Sequence, residues 1–169
     1  MKSLMKLLLA TAMILVMSGG AMAQECFNAQ GSTLVPGLRY HYRSASYLSA
    51  PMIVVNNITS STVRCKITFI DHDGNDFSSY ANVFTGGGST FTRIATGTGE
   101  FNIPPSSTRM VIMQQEAPVK SIIGYAKIEW RSDDSTLHKA LMASGRQIRV
   151  DPGSSVSGGN FNINNGQPF

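Results

Sequence analysis

The octapeptide Val63-Arg64-Cys65-Lys66-Ile67-Thr68-Phe69-Ile70 alternates apolar and polar side chains. Val63, Cys65, Ile67 and Phe69 point one way, and Arg64, Lys66 and Thr68 point the other. A period of two is that of a strand with one face in a core and one in water, so Cys65 is expected on the buried face. A partner strand over residues 52–56 precedes it, across the polar loop Asn57-Ile58-Thr59-Ser60-Ser61. Asn57 also begins a glycosylation sequon, read here as turn chemistry. Asp73-Gly74, within Asp71-His72-Asp73-Gly74-Asn75-Asp76, follows as a hairpin signal, because a type I′ turn needs positive φ at both central residues.

The same grammar continues outward. Gly86-Gly87-Gly88 precedes a strand over 90–95, Gly97-Thr98-Gly99 precedes one over 100–103, and Pro104-Pro105 stops it. Further strands are expected over 108–114 and 122–130, the second with Ala126, Ile128 and Trp130 facing opposite to Tyr125, Lys127 and Glu129. Residues 132–143 carry acids before Leu137, Leu141 and Met142, which fits a short helix. A turn followed by a strand over 137–144 is preferred, since every neighbour is β, with a last short strand over 147–150. Short strands separated by turns every 8 to 12 residues point to an all-β protein, a single antiparallel β-sandwich or barrel. From Pro152 onward Gly, Ser and Asn dominate, a composition expected to give a flexible C-terminal tail over 152–169 or an edge strand over 160–164.

Residues 1–23 have the order of a secretory signal peptide: Lys2 and Lys6, about 11 apolar residues over 7–17, Gly19-Gly20, then Ala21-Met22-Ala23. The apolar run is short of the roughly 20 residues a spanning helix needs. Cys26 stands third after the expected cleavage point, which argues against lipidation. The short lysine-bearing start is bacterial in style, so a periplasmic or extracellular location is expected. The domain itself is expected over 24–151.

The chain has 169 residues, of which 42% are hydrophobic and 14% charged, and a formal charge of +4. Removing Lys2 and Lys6 lowers that charge to +2, which is no nucleic-acid signature. Cys26 and Cys65 are the only cysteines. In an oxidising compartment they are expected to pair, closing a loop of about 40 residues and stabilising by about 4 kcal/mol in the chain-entropy model.

Catalytic patterns fail in turn. His41, His72 and His138 lack metal-ligand spacing, and no G-x-S-x-G or H-E-x-x-H occurs. Gly86-Gly87-Gly88-Ser89-Thr90 lacks the lysine of a phosphate loop. The acidic turn at Asp71 to Asp76 clusters oxygen ligands, but its glycine stands fourth and not sixth as in an EF-hand, so a plain turn is preferred to a calcium site. No cofactor, metal or enzymatic activity is expected, although a hydrolase site assembled from distant residues is an alternative. In Arg39-Tyr40-His41-Tyr42-Arg43 the tyrosines fall on one face of a strand and Arg39, His41 and Arg43 on the other. With Arg64 and Lys66 in the same sheet, these residues would form a positive stripe suited to an acidic glycan, a lipid headgroup or a protein partner.

The run Ile53-Val54-Val55-Asn56-Asn57-Ile58-Thr59, the strand over 63–70, Asp73-Gly74, and Phe101-Asn102-Ile103-Pro104-Pro105 with Thr108 resemble bacterial Ig-like β-sandwich modules. The resemblance covers residues 50–130, and the ending Asn164-Asn165-Gly166-Gln167-Pro168-Phe169 is similar to endings of secreted bacterial proteins. It implies a sandwich fold that serves adhesins, chaperones, glycan binders and assembly subunits alike. The expected function is therefore a non-enzymatic binding or structural component of the envelope. The alternative is an assembly subunit, self-associating by strand addition through an edge or the tail.

Overall fold

A computed structural model describes residues 27–44, 46–113, 120–153 and 157–169. Ten strands occur among them, with no α-helix. They are β1 (Gly31–Ser44), β2 (Tyr47–Asn57), β3 (Val63–Asp71), β4 (Ala81–Thr85), β5 (Thr92–Thr96), β6 (Phe101–Ile103), β7 (Thr108–Met113), β8 (Lys120–Arg131), β9 (Leu141–Val150) and β10 (Ser157–Asn162). Every pairing is antiparallel, in the order β5-β4-β7-β2-β1-β8-β3-β6, with β9 and β10 joined to β2. The sheet nearly closes into a barrel around one apolar core.

β3 behaves as its alternation dictates: Val63, Cys65, Ile67 and Phe69 are buried, and the residues between them are not. Its neighbour β8 buries Ala126, Ile128 and Trp130. Cys65 is a free, buried thiol between Phe101 on β6 and Trp130 on β8. Burial pushes that thiol's pKa far up. Cys26, its expected partner, lies outside the described residues, as does the signal segment.

β2 shapes the barrel. One of its edges pairs with β9 along its length, while the other meets β1 at residues 47–49 and β7 at residues 52–56. The buried face changes with the partner: Leu48 and Ala50 are buried before the change, and Ile53 and Val55 after it. Pro51 stands at the change, where a missing N–H costs least. Continuing the β1 register sets Arg39 opposite Pro51, and the Gln147 amide donates to the Arg39 carbonyl at 2.8 Å, supplying a donor where the proline has none.

Two loops are pinned by side chains. Asn57 is buried and donates to the carbonyls of Ser61, Ile103 and Pro104, while its own oxygen accepts from the Thr59 N–H and hydroxyl. At the acidic turn, Gly74 has φ 85° and no other residue of the turn has positive φ, so the expected type I′ geometry is replaced by a turn closed from Gly74 N–H to Asp71 O at 3.2 Å. Asp71 accepts from the Asp73 and Asn75 N–H groups. Its carboxylate therefore organises the backbone, and the Asn75 N–H, above all, holds its pKa below the usual carboxylate value.

The expectation of a flexible tail is corrected. β10 pairs with β9 from Ser157 to Asn162, Ile163 and Phe169 are buried, and Phe169 exchanges backbone hydrogen bonds with Leu141 at 2.9 and 3.0 Å. Phe161 packs over Gly145, where a Cβ would come within 2.0 Å of the ring. Glycine removes the obstruction, and the tail's few apolar residues borrow the barrel's core because they cannot make one. Over 132–140 the chain turns without forming a helix, and the strands expected separately over 137–144 and 147–150 are one, β9.

Candidate functional site

The outer face of β1 and β8 gathers most of the chain's unexplained surface chemistry. β1 would present alternate residues without interruption, but Pro36 and Gly37 together stand opposite the single Tyr125, between Val35, opposite Ala126, and Leu38, opposite Gly124. Gly37 takes φ 71°, a conformation that suits glycine. After this bulge Leu38 and Tyr40 point inward, and Arg39 and His41 point out. Gly124 lies below the bulge, and a Cβ there would meet the Ile70 carbonyl at 1.9 Å. The floor is thus set by close approach of β3 and β8.

Two adjoining hollows, of about 340 and 500 Å³, share His72 and Ile123 and form one groove over β8. Arg39, His41 and Ser121 line one end, and Leu34, Pro36 and Tyr125 line the other. Leu34 is 59% exposed, Ile123 63% and Tyr125 42%, so the floor is an apolar patch open to water. The Asp71–His72 corner forms the wall opposite the β1 bulge.

His41 is the best-fixed polar group. Its Nδ1 lies 2.6 Å from the Ser121 hydroxyl, and its ring meets Tyr47 edge-on at 5.2 Å between centroids. Among the described residues no carboxylate hydrogen-bonds the other ring nitrogen, so the pair lacks the orienting acid of a serine–histidine triad. Burial pushes the Tyr40 phenol up to about 12, so it stays neutral at physiological pH. The His72 ring lies 3.6 Å from the Asp73 carboxylate. This chemistry can hold an anion or a hydrogen-bonding group beside an apolar surface.

The five residues expected as one positive stripe are divided. Arg39 and His41 share one end of the face, and Arg43 follows them in the irregularity of β1 between Tyr42 and Ser44. Lys66 lies opposite Glu129 on β8, and Arg39 lies opposite Ile123 six residues away, about 20 Å along the strand. Arg64 is paired with Asp133 at 3.2 Å, and Lys127, between the two ends, is paired with Glu129 at 2.7 Å. Counter-ions therefore interrupt the stripe, because β8 carries Glu129 on the same outer face. Lys66 lines instead a separate polar cleft of about 330 Å³ with Asp76, Ser78 and Glu100.

Sequence reading missed Ser121, Ile123, Leu34 and His72. A usable sign was present for one of them: Ile122 and Ile123 are consecutive in a strand, so one of the two must face outward.

No protein-family model matches the chain, and no curated protein matches it. Among solved structures, the crystal structure of Thermotoga maritima 1070 is similar at 11% identity and a TM-score of 0.47, over 81% of this chain and 95% of that one. So distant a likeness carries no argument about fold or function.

Proposed function

We propose that this chain is a non-enzymatic binding protein of the bacterial envelope, exported by residues 1–23, that recognises an acidic partner, protein or glycan, through the outer face of β1 and β8. One observation carries the reading: Arg39 and His41 project outward at alternate positions of β1, exposed Arg43 follows at the irregularity between Tyr42 and Ser44, and among the described residues neither arginine has an ion-pair partner. Cations left unpaired beside exposed Ile123 gain more from an acidic partner than Arg64 or Lys127, which already hold carboxylates.

Export would place Cys65 in an oxidising compartment. The Gln30 N–H donates to the Trp130 carbonyl at 2.9 Å, and Cys65 lies opposite Trp130, which supports a bridge to Cys26 near the start of β1. The exchange of buried faces along β2 supports describing the flattened barrel as the two layers of an Ig-like sandwich.

The test is retention of the full chain on immobilised poly-L-glutamate and polygalacturonate. Retention on at least one, lost in high salt and reduced roughly tenfold or more by Arg39→Ala with Arg43→Ala, is expected. No retention at low salt, or retention unchanged in the double variant, would refute the assignment.

A second reading, assembly by strand addition, is supported by β5. It ends the sheet, with Ile94 44% exposed and Phe91, just before it, 66% exposed. Oligomers that dissociate on Ile94→Lys would favour it, and a monomer at all concentrations would remove it.

A further inference from the structure

The groove over β8 has a direction. Ser121, Ile123 and Tyr125 stand at every second residue of its floor, so their side chains recur about every 6.6 Å. An extended polypeptide laid along the groove presents its own side chains at that same interval. The walls, the Pro36–Gly37 bulge and the Asp71–His72 corner, confine a chain to this path. Unpaired positive charge is confined to one end: Arg39 stands there beside His41 and Ser121, whereas the far end is lined by exposed Leu34 and Tyr125 with the Asp71 carboxylate on its wall, and Lys127 beyond it is held by Glu129 at 2.7 Å.

We infer that this groove takes an extended segment of a partner polypeptide, with acidic side chains at the Arg39–His41 end and apolar side chains at alternate positions toward Leu34 and Tyr125. The inference rests on the acid-recognition reading above and deepens it by naming the partner's chemistry. A polyanionic glycan would satisfy Arg39 but leave Leu34 and Ile123 in water, so the apolar floor favours a polypeptide. Strand addition is not available at this place, because β8 is paired with β1 on one side and β3 on the other. Selectivity must therefore come from side chains meeting the sheet face.

The experiment compares two peptides of identical composition with the full chain. The acetylated and amidated octapeptide Glu-Ser-Glu-Ser-Leu-Ser-Leu-Ser segregates acids from leucines, and Leu-Ser-Glu-Ser-Leu-Ser-Glu-Ser mixes them. Affinities are measured by calorimetry or amide shifts, with poly-L-glutamate as a third probe. The segregated peptide is expected to bind about tenfold more tightly. Leu34→Ser, a change at an exposed position of the far end, is expected to erase that preference, a loss of roughly tenfold for uncovering most of one leucine, while leaving poly-L-glutamate binding intact. Equal affinity of the two peptides, or a preference that survives Leu34→Ser, would overturn this inference even with poly-L-glutamate still bound. Loss of all three ligands from the wild-type chain would overturn acid recognition as well.

Discussion

Replacing Asn57 by alanine should be among the most destabilising single changes in this protein. The side chain makes five hydrogen bonds: three from its amide to the carbonyls of Ser61, Ile103 and Pro104, at 2.8, 2.9 and 3.0 Å, and two accepted from Thr59 at 2.9 and 2.8 Å. It is only 2% exposed, so water cannot replace these partners without opening the β2–β3 loop and the end of β6. Two amide hydrogens serve three acceptors, so the three donor contacts count as about two full bonds. At about 1 kcal/mol net for each of these four bonds, with about 1 kcal/mol more for a carbonyl left dry, the loss is about 5 kcal/mol. For a protein of this size that lowers Tm by about 10 °C or more. Urea titration with an unchanged m-value would read the difference directly. Thr59→Val, which removes the hydroxyl but leaves the Asn57 amide in place, should cost only about 1 kcal/mol. An Asn57→Ala protein within about 0.5 kcal/mol of wild type would refute the assignment of this side chain as the tie between the two loops. The same burial predicts that the Asn57 sequon stays unmodified in a glycosylating host.

Two further predictions concern ionisation and reactivity. The Asp71 carboxyl titrates below its ordinary value of 3.8 because the charged form accepts backbone N–H groups. Its contribution to the turn is therefore complete above that value and is lost as pH falls through the lower, folded one. Amide shifts of Asp73 and Asn75 should report a midpoint under 3.8, and a midpoint above it would contradict the geometry. Ser121, though 2.6 Å from His41, should not be labelled by a fluorophosphonate, since among the described residues no carboxylate hydrogen-bonds the ring; stoichiometric labelling at Ser121 would revive the hydrolase alternative.

How far the sequence carried can be judged from particular residues. β3 and the inner face of β8 were legible because burial on one side leaves a period of two in the side chains, and Asn57 was legible as a turn residue by type. The β1 bulge was not, because Pro36-Gly37 reads equally as a loop, and only pairing with Ala126 and Gly124 shows that the strand continues through it. The ordered ending was hidden for a related reason. Gly, Ser and Asn carry no local preference for strand, and Phe161 finds its place only through Gly145, some sixteen positions earlier. The site was half legible. Alternation set Arg39 and His41 on one face but could not show the register shift at Arg43, and the counter-ions of Arg64 and Lys127 come from residues whose neighbourhood is set by sheet order.

The most direct test of the central claim is to map amide shifts of the full chain as poly-L-glutamate is added at low salt. Acid recognition by the β1–β8 face predicts saturable shifts centred on Arg39, His41, Ser121 and Ile123, abolished by Arg39→Ala with Arg43→Ala. Shifts centred on Arg64 and Lys66, or none at all, would contradict it.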